Sequence, residues 1–395
     1  MAPTTRSHTR RSDFANTRRL SSPCEPPVYR VDLSQPPKHR YDHICADFKE
    51  KLAGIVPIYG ELLNATGHHN LLDFFARSLL RRVHSSEETS EIRGIARATG
   101  VPLHLVVAFN TFLDLFSGCS SGGVLVSDAG SGKTSGVVHF RGLDWEMEPL
   151  RQLIICIEYV RNDEVVARSV TYAGYVGILT GVREGLSISL NYRIRLWSKS
   201  SLFSHRFHQF ALLMGWRPSI SSVLRQLLLS PCPAPSVATL AETLPKTPST
   251  PCYLTFCSQA NILILEKDLI AAKVRTSASF LAVTNNDEHI EALSADAWRD
   301  IVAKAAPAQD AILADSIERK QCVMRLWKKR TVRQRQHITV ADVVRQLEVQ
   351  PVQNESTHFS CVMDPGVPGG GLLWVRAYPE PVEMEEGLEW GISRY

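Results

Sequence analysis

FNTFLDLFSGCSSGGVLVSDAGSGKTSGVVHFRGLDW, residues 109–145, is where the chain changes character. Up to Phe116 apolar residues recur at helical spacing, and Ser117, Gly118, Cys119, Ser120 and Ser121 then interrupt them. Beyond the interruption stand two strand-like runs, GVLVS and GVVHFR, joined by the polar turn DAGSGKTS. That turn imitates a phosphate-binding loop from Asp128 to Thr134. The Gly such a loop needs five positions before Gly132 is Ser127, and a strand follows instead of a helix, so no helix N-terminus faces a phosphate. It reads as a hairpin turn, with Cys119 at the open end of a sheet.

Before this junction the text is helical. Pro102 opens a helix carrying Leu103, Val106, Val107, Phe109, Phe112, Leu113 and Phe116, and Thr89 to Ala98 forms another, closed by Gly100. Leu71 to Val83 and Asp42 to Leu63 are amphipathic, the latter broken by Pro57. Val28, Val31 and Leu33 suit a strand edge that Pro36-Pro37 ends. After the junction come QLIICIEYV, EVVARSVTYAG and LSISLNYRIRLW as strands, with VREGL as a turn. Residues 204–230 and 237–244 return to helical spacing. CYLTFCS, NILILEKD and KVRTSASFLAVTNND make a second strand set, His289 to Gln346 is helical, and Thr357 to Val362 with Leu372 to Ala377 close the chain as strands. This order predicts an α+β fold, a layered αββα sandwich with a largely antiparallel sheet. The expected divisions are a disordered tail over 1–25, a helical segment over 26–118 and a strand-rich catalytic segment over 119–395.

The formal charge of +4 comes from residues 1–19, where five arginines face the single acid Asp13. The remainder is near neutral, which argues against a nucleic-acid partner. Nine cysteines without CxxC pairs or histidines at zinc spacing argue against a metal site and against a dense disulfide framework. Asn64-Ala65-Thr66 and Asn354-Glu355-Ser356 fit the glycosylation triplet. The first 20 residues hold no apolar stretch of the secretory kind, and no run approaches the roughly 18 apolar residues of a membrane span.

Most cysteines are small buried hydrophobes. Cys119 differs in following Gly118, being flanked by Ser120 and Ser121, and opening a strand. A cut before it would set an α-amine, with a pKa of about 8, beside the thiol, so one residue would supply both nucleophile and base. In HFRGLDW, Arg141 could hold a thiolate or a carbonyl, and Asp144 could orient the amine and offset the arginine; an ordinary ion pair is the bland alternative. Asn191 is polar in an apolar run. TNND at 284–287 offers amides that could donate to an oxyanion or simply make a turn.

Taken together, VYRVDLSQPPKHRYDHI, AFNTFLDLFSGCSS, HFRGLDW, YAGYVGILTGVREGLSISLNYR, TNND and DSIERK resemble the acid ceramidase and N-acylethanolamine acid amidase family of N-terminal-nucleophile hydrolases. The resemblance spreads from about Val28 to Lys320. It implies an αββα sandwich and a precursor that cleaves itself between Gly118 and Cys119 into α- and β-chains. It puts the nucleophile on Cys119, the RxxD pair on Arg141 and Asp144, the late asparagine on Asn285, and a late arginine on Arg319, where the alignment could slip to Lys320. Tyr175 and Asn191 fall on substrate-facing positions. The implied reaction is hydrolysis of an N-acylated lipid through a cysteine thioester, without cofactor or metal, with ceramide as the first expectation. N-acylethanolamines or other small N-acyl amides are the alternative, and a catalytically silent lipid- or partner-binding relative is the rival of another class. A membrane surface or lipid carrier is the partner such a substrate implies; the resemblance implies a lysosomal, vacuolar or secreted setting, with the cytoplasm as the alternative because no secretory signal is visible. The chain departs from the family at Tyr192, where animal members carry an acid.

Overall fold

The structure, a computed structural model, describes residues 23–57, 69–112, 118–127, 134–196, 198–305, 309–333 and 337–382. The expected tail up to residue 22, the helix end at Leu113–Phe116 and the turn Asp128–Lys133 lie outside the described residues. Two sheets stack face to face. One has eight strands in the order β1 (Val28–Asp32), β4 (Ile154–Arg161), β5 (Glu164–Tyr172), β6 (Thr180–Arg183), β7 (Leu186–Tyr192), β8 (Cys252–Cys257), β9 (Ile262–Lys267) and β10 (Ala272–Ser277). The other has five, β11 (Phe280–Val283), β2 (Gly118–Ser127), β3 (Thr134–Asp144), β12 (Thr357–Asp364) and β13 (Gly371–Ala377). Among the described residues every strand pairing is antiparallel except β1 with β4, so the expected largely antiparallel sheet has one parallel edge strand.

Helices close both outer faces. Before the junction α1 (Asp42–Ala53), α2 (His69–Leu79), α3 (Ser86–Thr99) and α4 (Leu103–Phe112) follow one another. The third stops at Gly100 with φ 78, as expected, but starts ahead of the expected Thr89, on the Ser85 side chain, which accepts the Glu88 amide. The large core unites this layer with the eight-stranded sheet and with α6 (Ile220–Leu229), which follows α5 (Leu202–Leu213), and α7 (Val237–Thr243). Arg225 of α6 donates to Glu91 of α3 at 2.8 Å inside that layer. Beyond α8 (Ala295–Ala305), α9 (Asp310–Lys328) and α10 (Val340–Leu347) cover the five-stranded sheet through a second core of Val124, Phe140, Phe280, Val323 and Val343. The result is the expected αββα sandwich.

Three details differ from the sequence reading. The run KVRTSASFLAVTNND is not one strand. Ser277 turns the chain by accepting the amides of Ser279 and Phe280 at 3.1 and 3.2 Å, which sends β10 to one sheet and β11 to the other. VREGL is mostly not a turn, since Val182 and Arg183 belong to β6 and only Glu184-Gly185 reverse the chain, with Gly185 at φ 82. Cys24, at the end of the expected tail, already exchanges backbone hydrogen bonds with Ala377 of β13 at 3.0 and 2.8 Å. The nine cysteines carry thiols and form no disulfide with one another.

The junction strand is thin by composition. A Cβ on Gly122 would stand 2.2 Å from the Leu281 carbonyl of the neighbouring strand, and one on Gly123 2.6 Å from Ile262 across the sheet interface. Between the sheets, apolar packing of Val137, Cys257 and Ile262 gives way toward Cys119 to a polar seam. Ser121 Oγ meets Asn191 Oδ1 and Thr255 Oγ1 at 3.0 Å each, and His139 bridges Ser187 and Ser189 at 3.0 and 2.8 Å. Burial first, then the charge of Arg141, push the His139 pKa down to about 3.

Two outcomes follow from this packing. Gly122→Ala should lower the unfolding midpoint by about 1–3 kcal/mol of stability, the usual cost of overpacking. Gly142→Ala, whose new methyl would meet only Ser360 Oγ at 3.8 Å, should be tolerated in the same urea titration. The folded pKa of His139 lies below its unfolded value, so its contribution is present above about pH 6.5 and is lost as pH falls toward 3. The slope from this one group is at most about 1.4 kcal/mol per pH unit. The stability gap between His139→Gln and the unsubstituted chain should therefore narrow between pH 7 and pH 5.

Candidate active site

The β2–β3 hairpin sets the site by register. Gly118 pairs with Asp144, Cys119 with Leu143 and Ser121 with Arg141. Side chains alternate along a strand, so Cys119, Ser121, Arg141 and His139 point into the seam between the sheets. Gly118, Ser120 and Asp144 face the other way, toward α9. Arg141 and Asp144 stand three apart and therefore lie on opposite faces. Asp144 has Arg319 as its ion partner, at 3.5 Å, and Arg141 donates instead to Asn191 Oδ1 and, at 2.7 Å, to the Leu190 carbonyl.

The peptide units on both sides of the Cys119 Cα are held by polar side chains. The Cys119 amide N–H donates to Asn285 Oδ1 at 2.8 Å, and the Cys119 carbonyl accepts from Arg319 Nη1 at 2.7 Å. The same guanidinium donates to Ser120 Oγ at 2.9 Å, to Asn285 Oδ1 at 3.0 Å and, through Nε, to Asp315 one turn earlier at 2.9 Å. Arg319 is fully buried. Burial works against its charge, but Asp315 and Asp144 outweigh it and its pKa is raised. For Asp144 burial wins over Arg319 and over the Thr357 hydroxyl, and its carboxyl is pushed upward. Lys320, the alternative position for the late cation, is buried next door on the Ala282 carbonyl at 2.6 Å, with Glu291 at 3.3 Å. It touches none of the groups that hold the Cys119 backbone in these bonds.

Asn285 owes its place to α9. Ser316 Oγ accepts the Asn285 amide at 2.7 Å and bonds Asn286 Oδ1 at 2.8 Å, while its carbonyl takes the Thr284 hydroxyl at 3.0 Å. Asp287 is clamped by two 2.6 Å bonds from Arg193 and by the Tyr253 hydroxyl at 2.7 Å. The Asn285 Nδ2 donates to the Tyr192 carbonyl at 2.8 Å. Tyr192, the position that departs from the family, thus enters the site through its backbone.

The structure brings together Gly118, Cys119, Asp144, Asn285 and Arg319, with Arg141 and Asn191 joined to each other just inside the seam. Asn191 is fully buried and spans the two sheets, its Nδ2 reaching the Thr284 carbonyl at 3.1 Å. Tyr175 packs elsewhere, edge-on to Phe109 of α4 with ring centroids 6.0 Å apart. Sequence reading passed over Ser120, Asp315, Ser316 and Thr357. Asp315 could have been found, because it precedes Arg319 by one helical turn in DSIERK. Thr357 carried no signal, lying 213 residues from the Asp144 it touches. Among the described residues no group of three or more His, Cys, Asp or Glu could hold a metal ion.

A buried thiol thus sits on a residue whose amide nitrogen and carbonyl are both fixed, with one cation and a carboxamide on the same backbone. Such a group can be the centre of an acyl transfer. Residues 25–84, wholly before Cys119, match the family model described as the beta subunit of N-acylethanolamine-hydrolyzing acid amidase. The acid ceramidase of Rattus norvegicus is 30% identical over 188 residues, 43% of this chain and 46% of that protein. The N-acylethanolamine-hydrolyzing acid amidase of Caenorhabditis elegans is 30% identical over 180 residues, 43% of this chain and 48% of that protein. The chain spans about half the length of the curated relatives it matches. A solved structure of the Caenorhabditis elegans ortholog of that amidase covers 63% of this chain and 94% of its own, at 25% identity and a TM-score of 0.45. Over these stretches the chain is similar in sequence to acid ceramidase and to N-acylethanolamine-hydrolyzing acid amidase.

Proposed function

We propose that this chain is a self-processing amidase that cuts itself between Gly118 and Cys119 and then hydrolyses the amide of N-acylated lipids. The observation that carries the reading is the capture of the Cys119 backbone by Asn285 and Arg319, which come from a strand end and a helix far along the chain. In the first stage the Cys119 thiol adds to the Gly118 carbonyl carbon. The thiol proton passes to the Cys119 nitrogen as the C–N bond breaks, leaving a Gly118 thioester and a free α-amine. Water then cleaves the thioester, releasing the Gly118 carboxylate and the thiol.

In the second stage the new amine takes the thiol proton and the sulfur attacks the acyl carbonyl of the substrate. The amine returns the proton to the leaving nitrogen, and water frees the fatty acid from the thioester. Asn285 Oδ1 receives the amine that replaces the present amide N–H. Its Nδ2, once off the Tyr192 carbonyl, is the donor half for the oxyanion together with a backbone amide. Arg319 and Asp144 hold the outer side of the strand, and Arg141 with Asn191 supports the thiol side. The match to a subunit description, confined to the stretch before Cys119, supports two chains from one precursor.

The substrate class is ceramide, or an N-acylethanolamine or similar N-acyl amide. Lipid delivery from a membrane surface is supported by α5, whose outer face exposes Leu202, Phe203, Phe207 and Phe210, Phe203 by 78%, beside Trp216. No helix among the described residues is long and apolar enough to cross a membrane.

The unsubstituted chain should give two bands in denaturing electrophoresis after mildly acidic incubation, and Cys119→Ala a single band at 44.0 kDa. A persistent full-length band from the unsubstituted chain favours the silent relative. Asn285→Ala should slow turnover by about a hundredfold or more, the usual loss of an oxyanion donor. Mass spectrometry of products from a mixture of ceramides and N-acylethanolamines decides the head group. Phe203→Ser with Phe207→Ser should reduce co-flotation with lipid vesicles severalfold while leaving self-cleavage intact.

A further inference from the structure

Asp144 is a buried carboxyl group with two unlike oxygens. Oδ1 accepts a 2.8 Å hydrogen bond from the Thr357 hydroxyl, and Oδ2 is buried without a hydrogen bond, 3.5 Å from Arg319 Nη1. Thr357 stands directly across from Asp144 in the β3–β12 pairing and is itself fully buried. Its oxygen accepts the Asn354 amide N–H at 2.9 Å. An oxygen already accepting from an amide keeps its one proton for the carboxylate, so the direction of the chain of bonds is set. The turn behind it is closed by the Thr357 amide on the Asn354 carbonyl at 3.0 Å and by the Ser356 amide on Asn354 Oδ1 at 2.9 Å. Trp145, next to Asp144, donates its amide to the Ser356 carbonyl at 2.7 Å. Asp144 is thus bracketed by one tight turn, and its Cβ would lie 3.3 Å from a Cβ on Gly118.

We infer that Thr357 is a positioning residue for the candidate site, its hydroxyl fixing Asp144 in one rotamer so that Oδ2 stays on Arg319 beside the Gly118–Cys119 peptide. The role rests on the self-processing reading of that peptide; the hydrogen bond does not. Arg319 and Asp315 from α9 face Asp144, and Arg141 on the other side of its own strand, Tyr172 at the end of β5 and Tyr378 after β13 lie within electrostatic reach of it. Burial pushes the carboxyl up, while Arg319 and then Thr357 pull it down. Taking the hydroxyl away leaves burial less opposed, so Asp144 should hold its proton to higher pH.

The test uses the full chain carrying Cys119→Ala, which keeps it in one piece. The Asp144 carboxyl is titrated by isotope-edited infrared difference spectroscopy and identified by its loss in Asp144→Asn. Thr357→Val should move the midpoint up by about one pH unit, the scale of one hydrogen bond to a charged acceptor. Thr357→Ser should restore it. In the chain without a Thr357 substitution, the Thr357 hydroxyl proton should be protected from exchange and its NMR shift should follow the same titration. An unmoved midpoint in Thr357→Val, or a freely exchanging hydroxyl proton should that variant not fold, overturns the inference. With Cys119 intact, the pH midpoint of self-cleavage should move up alongside in Thr357→Val, and a cut with an unmoved midpoint overturns the positioning role. A chain that never cuts overturns the proposed function instead, and the infrared result then stands on its own.

Discussion

One buried guanidinium organises the region around Cys119. Arg319 serves the Cys119 carbonyl, Ser120, Asn285 and Asp315, with Asp144 at the edge of its reach. Taking such a cation out of water is costly, and the two carboxylates offset that cost only because the geometry is good. Removing the cation would strand Asp144 in the interior, a change that typically costs about 3–5 kcal/mol. The helix that carries it is built in two halves along one face. Ser316, Arg319 and Lys320 are polar and meet the strand ends, while Val323 and Trp327, one and two turns on, enter the apolar core against Phe280. The apolar half docks the helix on the sheet. The polar half then fixes, to hydrogen-bond precision, which peptide the cation meets.

Alternation along β2 and β3 separates the chemistry into two compartments. The thiol side is a seam of neutral polar groups around one guanidinium, with His139 kept uncharged by burial and Arg141 bonded to Asn191 and a carbonyl. The opposite side holds the ion pairs of Arg319. A single strand thus presents its side chain to one environment and its backbone to another. The glycines of SSGG let it do so, because the strand is pressed by Leu281 on one side and Ile262 across the seam.

Much of the architecture was legible because binary patterning and punctuation are local. The helix stop at Gly100, the hairpin at the junction and the layer order could all be read from short stretches, whereas the helix start at Ser85 lies ahead of the expected Thr89. The split of residues 272–283 was hidden because Ser277 and Ser279 interrupt no hydrophobic pattern, and the turn depends on a side-chain oxygen finding two amides. At the site, Cys119, Arg141, Asp144, Asn285 and Arg319 were named from sequence, but the pairing within them was not. Spacing along HFRGLD invited an Arg141–Asp144 pair, and the period of two along a strand forbids it. Tyr175 lay in a stretch that resembles the family, yet its ring packs on the helical layer. Thr357 could not be found at all, since nothing in a sequence announces which residue of a distant strand stands opposite a carboxylate.

The edges of the two sheets have a mechanical consequence. At one side the chain leaves β10 and enters β11 with two residues between them, and at the other Cys24 is bonded to β13 four residues before β1 begins. The sandwich is therefore laced along both borders, like a flattened tube whose seams are sewn by the backbone. One lace precedes Gly118 and the other follows it, so breaking the Gly118–Cys119 bond undoes neither. Shear between the sheets is resisted at both margins, and slack created at the junction must be taken up locally, around Cys119.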